Sequence, residues 1–127
     1  MTETGKPERR TLLIGVVGPC GAGKSTLIAG LERRGFRCRH IAQEHSYVPS
    51  MWQKITNPDI LVFLNASFEI CTQRRKLDWR EEDYQEQTRR LAHAYQHADL
   101  IIETDSLPTG EVLARVLRFV GSKISSE

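Results

Sequence analysis

Gly18-Pro19-Cys20-Gly21-Ala22-Gly23-Lys24-Ser25-Thr26 is the stretch that decides the fold of this 127-residue chain. It fits the pattern G-x-x-x-x-G-K-[ST], and its flanks give the pattern a structural setting. Before it, Thr11-Leu12-Leu13-Ile14-Gly15-Val16-Val17 reads as a buried strand; after it, Leu27, Ile28 and Leu31 have the apolar spacing of a helix ending near Gly35. A glycine-rich turn with a chance lysine would need neither flank. Gly18, Gly21 and Gly23 can take backbone angles closed to other residues, so successive N–H groups along Cys20, Gly21, Ala22 and Gly23 can point inward at phosphate oxygens. The helix N-terminus adds its partial positive charge. In this order of residues Lys24 reaches the β- and γ-phosphates of a nucleoside triphosphate, Ser25 sets its hydroxyl on Mg²⁺, and Thr26 lies close to the α-phosphate.

Outward from this loop, strand and helix signals alternate, the pattern of a parallel sheet covered on both faces and hence of an α/β domain. Further strands are expected at Phe36 to Ala42, Asp59 to Asn65 and Asp99 to Glu103, about four in all. Helices are expected at Phe68 to Arg75, Glu81 to His97 and Gly110 to Val120. In the second of these Tyr84, Thr88, Leu91 and Tyr95 share a face, and in the third Val112, Leu113, Val116, Leu117 and Val120 do. Residues 1–10 read as a flexible tail, 11–120 as one domain and 121–127 as a frayed end.

The chain is 39% hydrophobic and has no repeat or low-complexity segment, enough for one self-sufficient core. Eighteen basic and 16 acidic residues leave a formal charge of +2, which calls for neither nucleic acid nor an anionic membrane as partner. The longest apolar runs are of strand length and the first ten residues are polar, so neither a transmembrane helix nor a signal peptide is expected, and a cytoplasmic location follows by default. Cys20, Cys38 and Cys71 are odd in number and widely spaced, which argues for reduced thiols and against a zinc site. Cys20 stands inside the phosphate loop at a helix N-terminus, where a thiolate is favoured; it is either a redox gate on the nucleotide or an inert filler. His40, His93 and His97 show no ligand spacing and read as ordinary surface or half-buried histidines.

The phosphate loop at the first strand–helix turn, the arginine-rich segment after Leu64-Asn65-Ala66-Ser67, and the ending Ala98-Asp99-Leu100-Ile101-Ile102-Glu103-Thr104-Asp105-Ser106-Leu107 together resemble the small P-loop kinases: shikimate, gluconate, adenylate and uridine kinases. The resemblance spans about residues 11–120. It implies a three-layer P-loop NTPase fold, ATP and Mg²⁺ at the phosphate loop, and an arginine-bearing lid, for which Gln73 to Glu82 is the candidate. Phosphoryl transfer spreads charge over equatorial oxygens, and guanidinium groups closing over the γ-phosphate stabilise it. By position in the shikimate-kinase pattern, Arg74 resembles the arginine that stacks on adenine, while Arg75 and Arg80 would face phosphate from the lid. Arg80 has a plainer reading on a solvated helix face, neutralised by Glu81, Glu82 and Asp83. Pro108, in the loop after the fourth strand, would lie against the other side of the adenine.

A kinase also needs a carboxylate to orient the acceptor hydroxyl or hold metal-bound water, and Glu44, directly after the second strand, is the best candidate. It reaches the phosphate loop if that strand neighbours the first, because the carboxyl ends of parallel strands line the ligand crevice. Ile41-Ala42-Gln43-Glu44-His45-Ser46-Tyr47 resembles the Gln-Asp-Ser-Phe-Tyr segment of uridine kinases, in which the acid serves as base, but here the acid is glutamate and histidine follows. Glu44 also reads as a plain exposed loop acid. Asp59 opens its strand and reads as structural, and Asn65 stands where a second metal-holding acid would close the third strand.

The named kinases place an acceptor-binding domain where this chain has only Tyr47 to Pro58. Tyr47, Val48, Met51, Trp52 and Lys54 either line a small pocket or, the favoured reading, pack a short helix on the core. Two functions follow. One is transfer of the ATP γ-phosphate to a small hydroxyl-bearing acceptor, with Lys24, Glu44, Arg75 and Arg80 as catalytic residues and Ser25 and Glu44 serving the metal. The other is a minimal nucleotide-binding module or slow hydrolase acting through a protein partner. A guanine reading is weak, since Thr56-Asn57-Pro58-Asp59 lacks the lysine of Asn-Lys-x-Asp.

Overall fold

A computed structural model describes residues 12–76 and 78–125. Four strands form one parallel sheet in the order β2-β1-β3-β4: β1 Leu13–Val17, β2 Arg37–His40, β3 Ile60–Asn65 and β4 Leu100–Glu103. Among the described residues five α-helices accompany them: α1 Lys24–Glu32, α2 Met51–Ile55, α3 Phe68–Arg75, α4 Glu81–His97 and α5 Thr109–Ser125. The α/β architecture expected from the alternating signals is the one observed.

Sequence dictates the layering through strand periodicity. In β3, Ile60, Val62 and Leu64 enter a cluster with Leu27 and Leu31 of α1 and Val112, Val116 and Val120 of α5. The alternate residues Leu61 and Phe63 face the opposite way, into a cluster with Trp52 of α2 and Leu91 and Ala94 of α4. A strand buried on both faces needs apolar residues at every position, which is what Ile-Leu-Val-Phe-Leu provides. The edge strand β2 instead reads Arg-Cys-Arg-His and exposes Arg37, Arg39 and His40, charge that discourages pairing with a further strand.

At the amino-terminal end of the sheet two aspartates brace neighbouring strands. Asp59 accepts a hydrogen bond from the backbone N–H of Leu13 at 2.8 Å and Asp99 from that of Leu61 at 2.7 Å. Asp59 is thus structural, as its place at the start of a strand suggests.

Several boundaries differ from expectation. Strand β2 is shorter than Phe36 to Ala42, and Gln43–His45 forms a single 3-10 turn after it. The final helix begins at Thr109 and continues through Gly121 to Ser125, so 121–125 are helical rather than frayed. The reason lies in Ile124, which extends the row Val112, Val116, Val120 by one more turn and packs against the same core. The buried face of α4 is Gln87, Leu91 and Ala94; Thr88 and Tyr95 are exposed, though Tyr95 still meets Phe63 edge-on at 5.1 Å. The expected tail at residues 1–10 and the last two residues lie outside the described residues, as does Thr11.

Between β2 and β3 the short helix α2 buries Trp52 and leaves Tyr47 82% exposed. Packing on the core is therefore what this segment does, through Trp52. The lid candidate is divided: Gln73 to Arg75 finish α3, Glu81 and Glu82 begin α4, and Leu77 lies outside the described residues. Trp79 fixes the link to the body by donating its indole N–H to Thr72 Oγ1 at 2.7 Å, with Phe68 and Tyr84 about its ring.

Candidate functional site

Everything that positions the site follows from parallel strands ending together. The loop after β1, the turn after β2 and the loop after β4 meet at the carboxyl end of the sheet around a cavity of about 640 Å³. That volume falls within the range of ordinary small-molecule sites.

The loop after β1 is shaped by its glycines. Gly18 has φ +153°, and a Cβ there would lie 2.1 Å from the carbonyl oxygen of Leu64, an impossible approach that only glycine avoids. Gly21, at φ +89°, leaves room for the backbone of Cys71, whose carbonyl oxygen would be 2.8 Å from any Cβ. α1 then begins at Lys24, with Ser25 and Thr26 exposed in its first turn at the cavity wall. First-turn N–H groups have no acceptor within their own helix, so they are donors for whatever the cavity holds.

Lys24 is nearly buried. Its ammonium donates to the carbonyl oxygens of Gly18 at 2.5 Å and Pro19 at 3.2 Å, and to Glu44 Oε2 at 2.9 Å. Glu44 arrives because β2 lies beside β1, in register with Val16 opposite His40, and the 3-10 turn carries the next residues over the loop. Neighbours hold that turn rigidly. Gln43, 1% exposed, donates to the carbonyls of Val48 and Arg90 and accepts from the N–H of Trp52, while Arg90 donates to the carbonyl of Glu44. Glu44 is therefore no exposed loop acid: it is 3% exposed, and its second oxygen, Oε1, has no hydrogen-bond partner among the described residues. A buried carboxylate oxygen left unpaired costs on the order of 1–3 kcal/mol, so a water, cation or ligand group is the expected complement.

On the opposite wall Arg74 ties two loops together. Its guanidinium donates to the carbonyls of Gly21 and Thr104, at 3.2 and 2.6 Å, and to Thr104 Oγ1 at 3.0 Å. Thr104 is 2% exposed and its hydroxyl lies 3.2 Å from the carbonyl of Ala22. Beyond it Leu107, Pro108 and Val112 give the cavity an apolar end, while the glycine-rich loop after β1 gives it a polar end.

Most residues singled out from the sequence line this cavity: Cys20, Gly21, Ala22, Gly23, Lys24, Ser25, Thr26, Glu44, Arg74, Arg75 and Pro108. Gly18 shapes the loop from beneath. Arg80 is not among the lining residues; it stands at the start of α4, where its backbone N–H donates to Asp83. His45 and His40 also line the cavity, and partial desolvation of the largely exposed His40 ring, with the nearby Lys24 charge, lowers its pKa from the usual value despite the opposing pull of Glu44. Burial pushes the thiols of Cys38 and Cys71 up to about 11, which makes both poor nucleophiles.

Residues that motif reading passed over are Thr104, Gln87 and Gln43. Gln87 accepts from the N–H of Cys20 at 3.1 Å and its amide donates to Cys20 Sγ at 3.4 Å, so α4 grips the glycine-rich loop directly. A signal existed: Gln87 stands between Tyr84 and Leu91 on the helix face that the core claims, and a polar residue there needs a partner.

No family model matches the chain, and no curated protein matches it. Among the described residues no helix is long and apolar enough to cross a membrane.

Proposed function

We propose that the chain binds ATP at the phosphate loop and transfers its γ-phosphoryl group to a small hydroxyl-bearing acceptor. The observation that carries this is Glu44: a buried carboxylate, one oxygen on the Lys24 ammonium and the other without a partner, in the same cavity as the loop. In this reading the loop N–H groups and Lys24 take the β- and γ-phosphates, and the apolar end at Leu107, Pro108 and Val112 takes the base, with Arg74 at its edge. Arg75 contributes positive charge near the γ-phosphate. Glu44 accepts the acceptor's hydroxyl proton through Oε1.

Mg²⁺ fits these residues. Ser25 presents a hydroxyl at the cavity wall, and the orphaned Oε1 is the kind of oxygen that holds a metal-bound water. When bound, the ion would neutralise charge on the transferring phosphoryl group. To meet a triphosphate, Lys24 exchanges one of its carbonyl partners for phosphate oxygens, and Glu44 remains beside it.

A second reading, a nucleotide-binding module that works through a protein partner, draws support from α2. That segment buries Trp52 and offers no acceptor domain between residues 46 and 58. Incubation with Mg-ATP and a panel of nucleosides, sugars and small acids separates the two. The transferase reading expects a phosphate ester formed one for one with ADP; nucleotide binding with no ester from any acceptor would contradict it.

A further inference from the structure

The loop after β1 and the turn after β2 bring together three side chains that are ligands of soft or borderline metals. Cys20 Sγ lies 3.9 Å from Glu44 Oε2 and 3.7 Å from His45 Nε2, and His45 Nε2 lies 3.7 Å from Glu44 Oε2. Tetrahedral zinc with thiolate, imidazole and carboxylate ligands sets these atoms about 3.4–3.6 Å apart, given bond lengths of roughly 2.0–2.3 Å. The two 3.7 Å edges of the observed triangle need to close by about 0.1–0.3 Å and the 3.9 Å edge by about 0.3–0.5 Å. We propose that Cys20, Glu44 and His45 form a three-ligand zinc site at the rim of the phosphate loop, with its fourth position open to the cavity.

Two further features point to a ligand here. Glu44 Oε2, the oxygen of this triangle, also accepts from Lys24, while the buried Oε1 has no partner among the described residues, so the carboxylate keeps an acceptor for Lys24 when Oε2 turns to a metal. The ligands are also held from outside: Gln87 bonds both the N–H and the Sγ of Cys20, and Arg90 and Gln43 fix the turn that carries Glu44 and His45. Such supporting contacts orient metal ligands in known sites. His45 is the exposed member, giving an entry path. On binding, the Cys20 thiol releases its proton to solvent, His45 ligates as neutral imidazole through Nε2, and Glu44 ligates as carboxylate. Thiolate and imidazole select zinc over Mg²⁺, which prefers oxygen ligands. Wide spacing of the cysteines hid this group in the sequence, because its members come from two different loops.

The site shares Glu44 with the phosphate loop, yet its test needs no nucleotide and so stands apart from the transferase reading. The full chain is titrated with Zn²⁺ in competition with a chromophoric chelator, and with Co²⁺ to read thiolate ligation from the near-ultraviolet charge-transfer band. Expected are one Zn²⁺ per chain, a thiolate–Co²⁺ band in the wild type, and a loss of affinity of ~100-fold or more in Cys20→Ser and in His45→Ala, since a lost ligand costs more than a lost supporting contact. Cys38→Ser should bind as the wild type does. Less than one Zn²⁺ per chain, a Co²⁺ spectrum without the thiolate band, or Cys20→Ser and His45→Ala binding as tightly as wild type would overturn the site. The wild-type Co²⁺ spectrum decides even if a variant fails to fold.

Discussion

The two ends of the sheet use carboxylates in opposite ways. At the amino-terminal end Asp59 and Asp99 each accept a backbone N–H from the neighbouring strand, at 2.8 and 2.7 Å, and their work is structural bracing. At the carboxyl end Glu44 is taken out of water beside a lysine, with one oxygen paired and one left over. Placing a charge pair in the interior is costly, and a fold gains little stability from it compared with an apolar pair. The difference separates acids that brace strands from the one acid on which the transferase proposal rests. Asp59 and Asp99 have bonds met by backbone at a strand end, whereas Glu44 is buried with capacity to spare.

Experiments can break that contrast, beginning where the effect is largest. Glu44→Gln should lower phosphoryl transfer by about 10²–10⁴-fold, the usual scale for a positioned base, while ATP affinity changes by only a few fold; steady-state kinetics beside calorimetry reads both. A variant that transfers at the wild-type rate removes Glu44 from the chemistry. Next, Lys24→Met strands the Glu44 charge in the interior and should destabilise the protein by about 3–5 kcal/mol, while Lys24→Met with Glu44→Leu should recover most of that loss. Urea unfolding of both variants tests this, and a double variant no more stable than the single one would mean that the pair is a net support like the aspartates. Asp99→Ala should cost about 1–2 kcal/mol and leave ATP binding unchanged, the mark of a purely structural acid.

The smallest effect concerns pH. His40 has a folded pKa below the unfolded 6.5, so the folded state binds fewer protons in the interval between the two values. Stability from this residue is complete above about pH 6.5 and is lost as pH falls toward the lowered value. The pH dependence of urea midpoints should flatten in that window in His40→Gln; an unchanged slope assigns it to other groups.

Much of the fold was legible because its signals are local. The glycine-rich turn, the strands β1, β3 and β4 and the span of α4 follow from glycine spacing and apolar runs, and the approach of Glu44 to that turn follows once β2 lies beside β1. What the sequence obscured depends on distant partners. The apolar spacing puts Thr88 and Tyr95 on the buried face of α4, but that face is Gln87, Leu91 and Ala94, because the amide of Gln87 takes the N–H of Cys20. Residues 121–127 read as a frayed end, yet Gly121 continues the helix, and Ile124 beyond it pulls the last turn onto the core. Arg74 was legible as a residue of the site, but its bonds to Gly21 and Thr104 depend on two loops more than 25 residues away in each direction.

Titration of the purified chain with Mg-ATP by calorimetry, beside Lys24→Ala, tests the central claim most directly, since that claim is that the carboxyl end of the sheet is a triphosphate site. The account predicts one ATP per chain in the wild type and at least ~100-fold weaker binding in the variant, whose phosphates lose their main counter-charge. No binding to the wild type, or equal affinity in the two proteins, would contradict it.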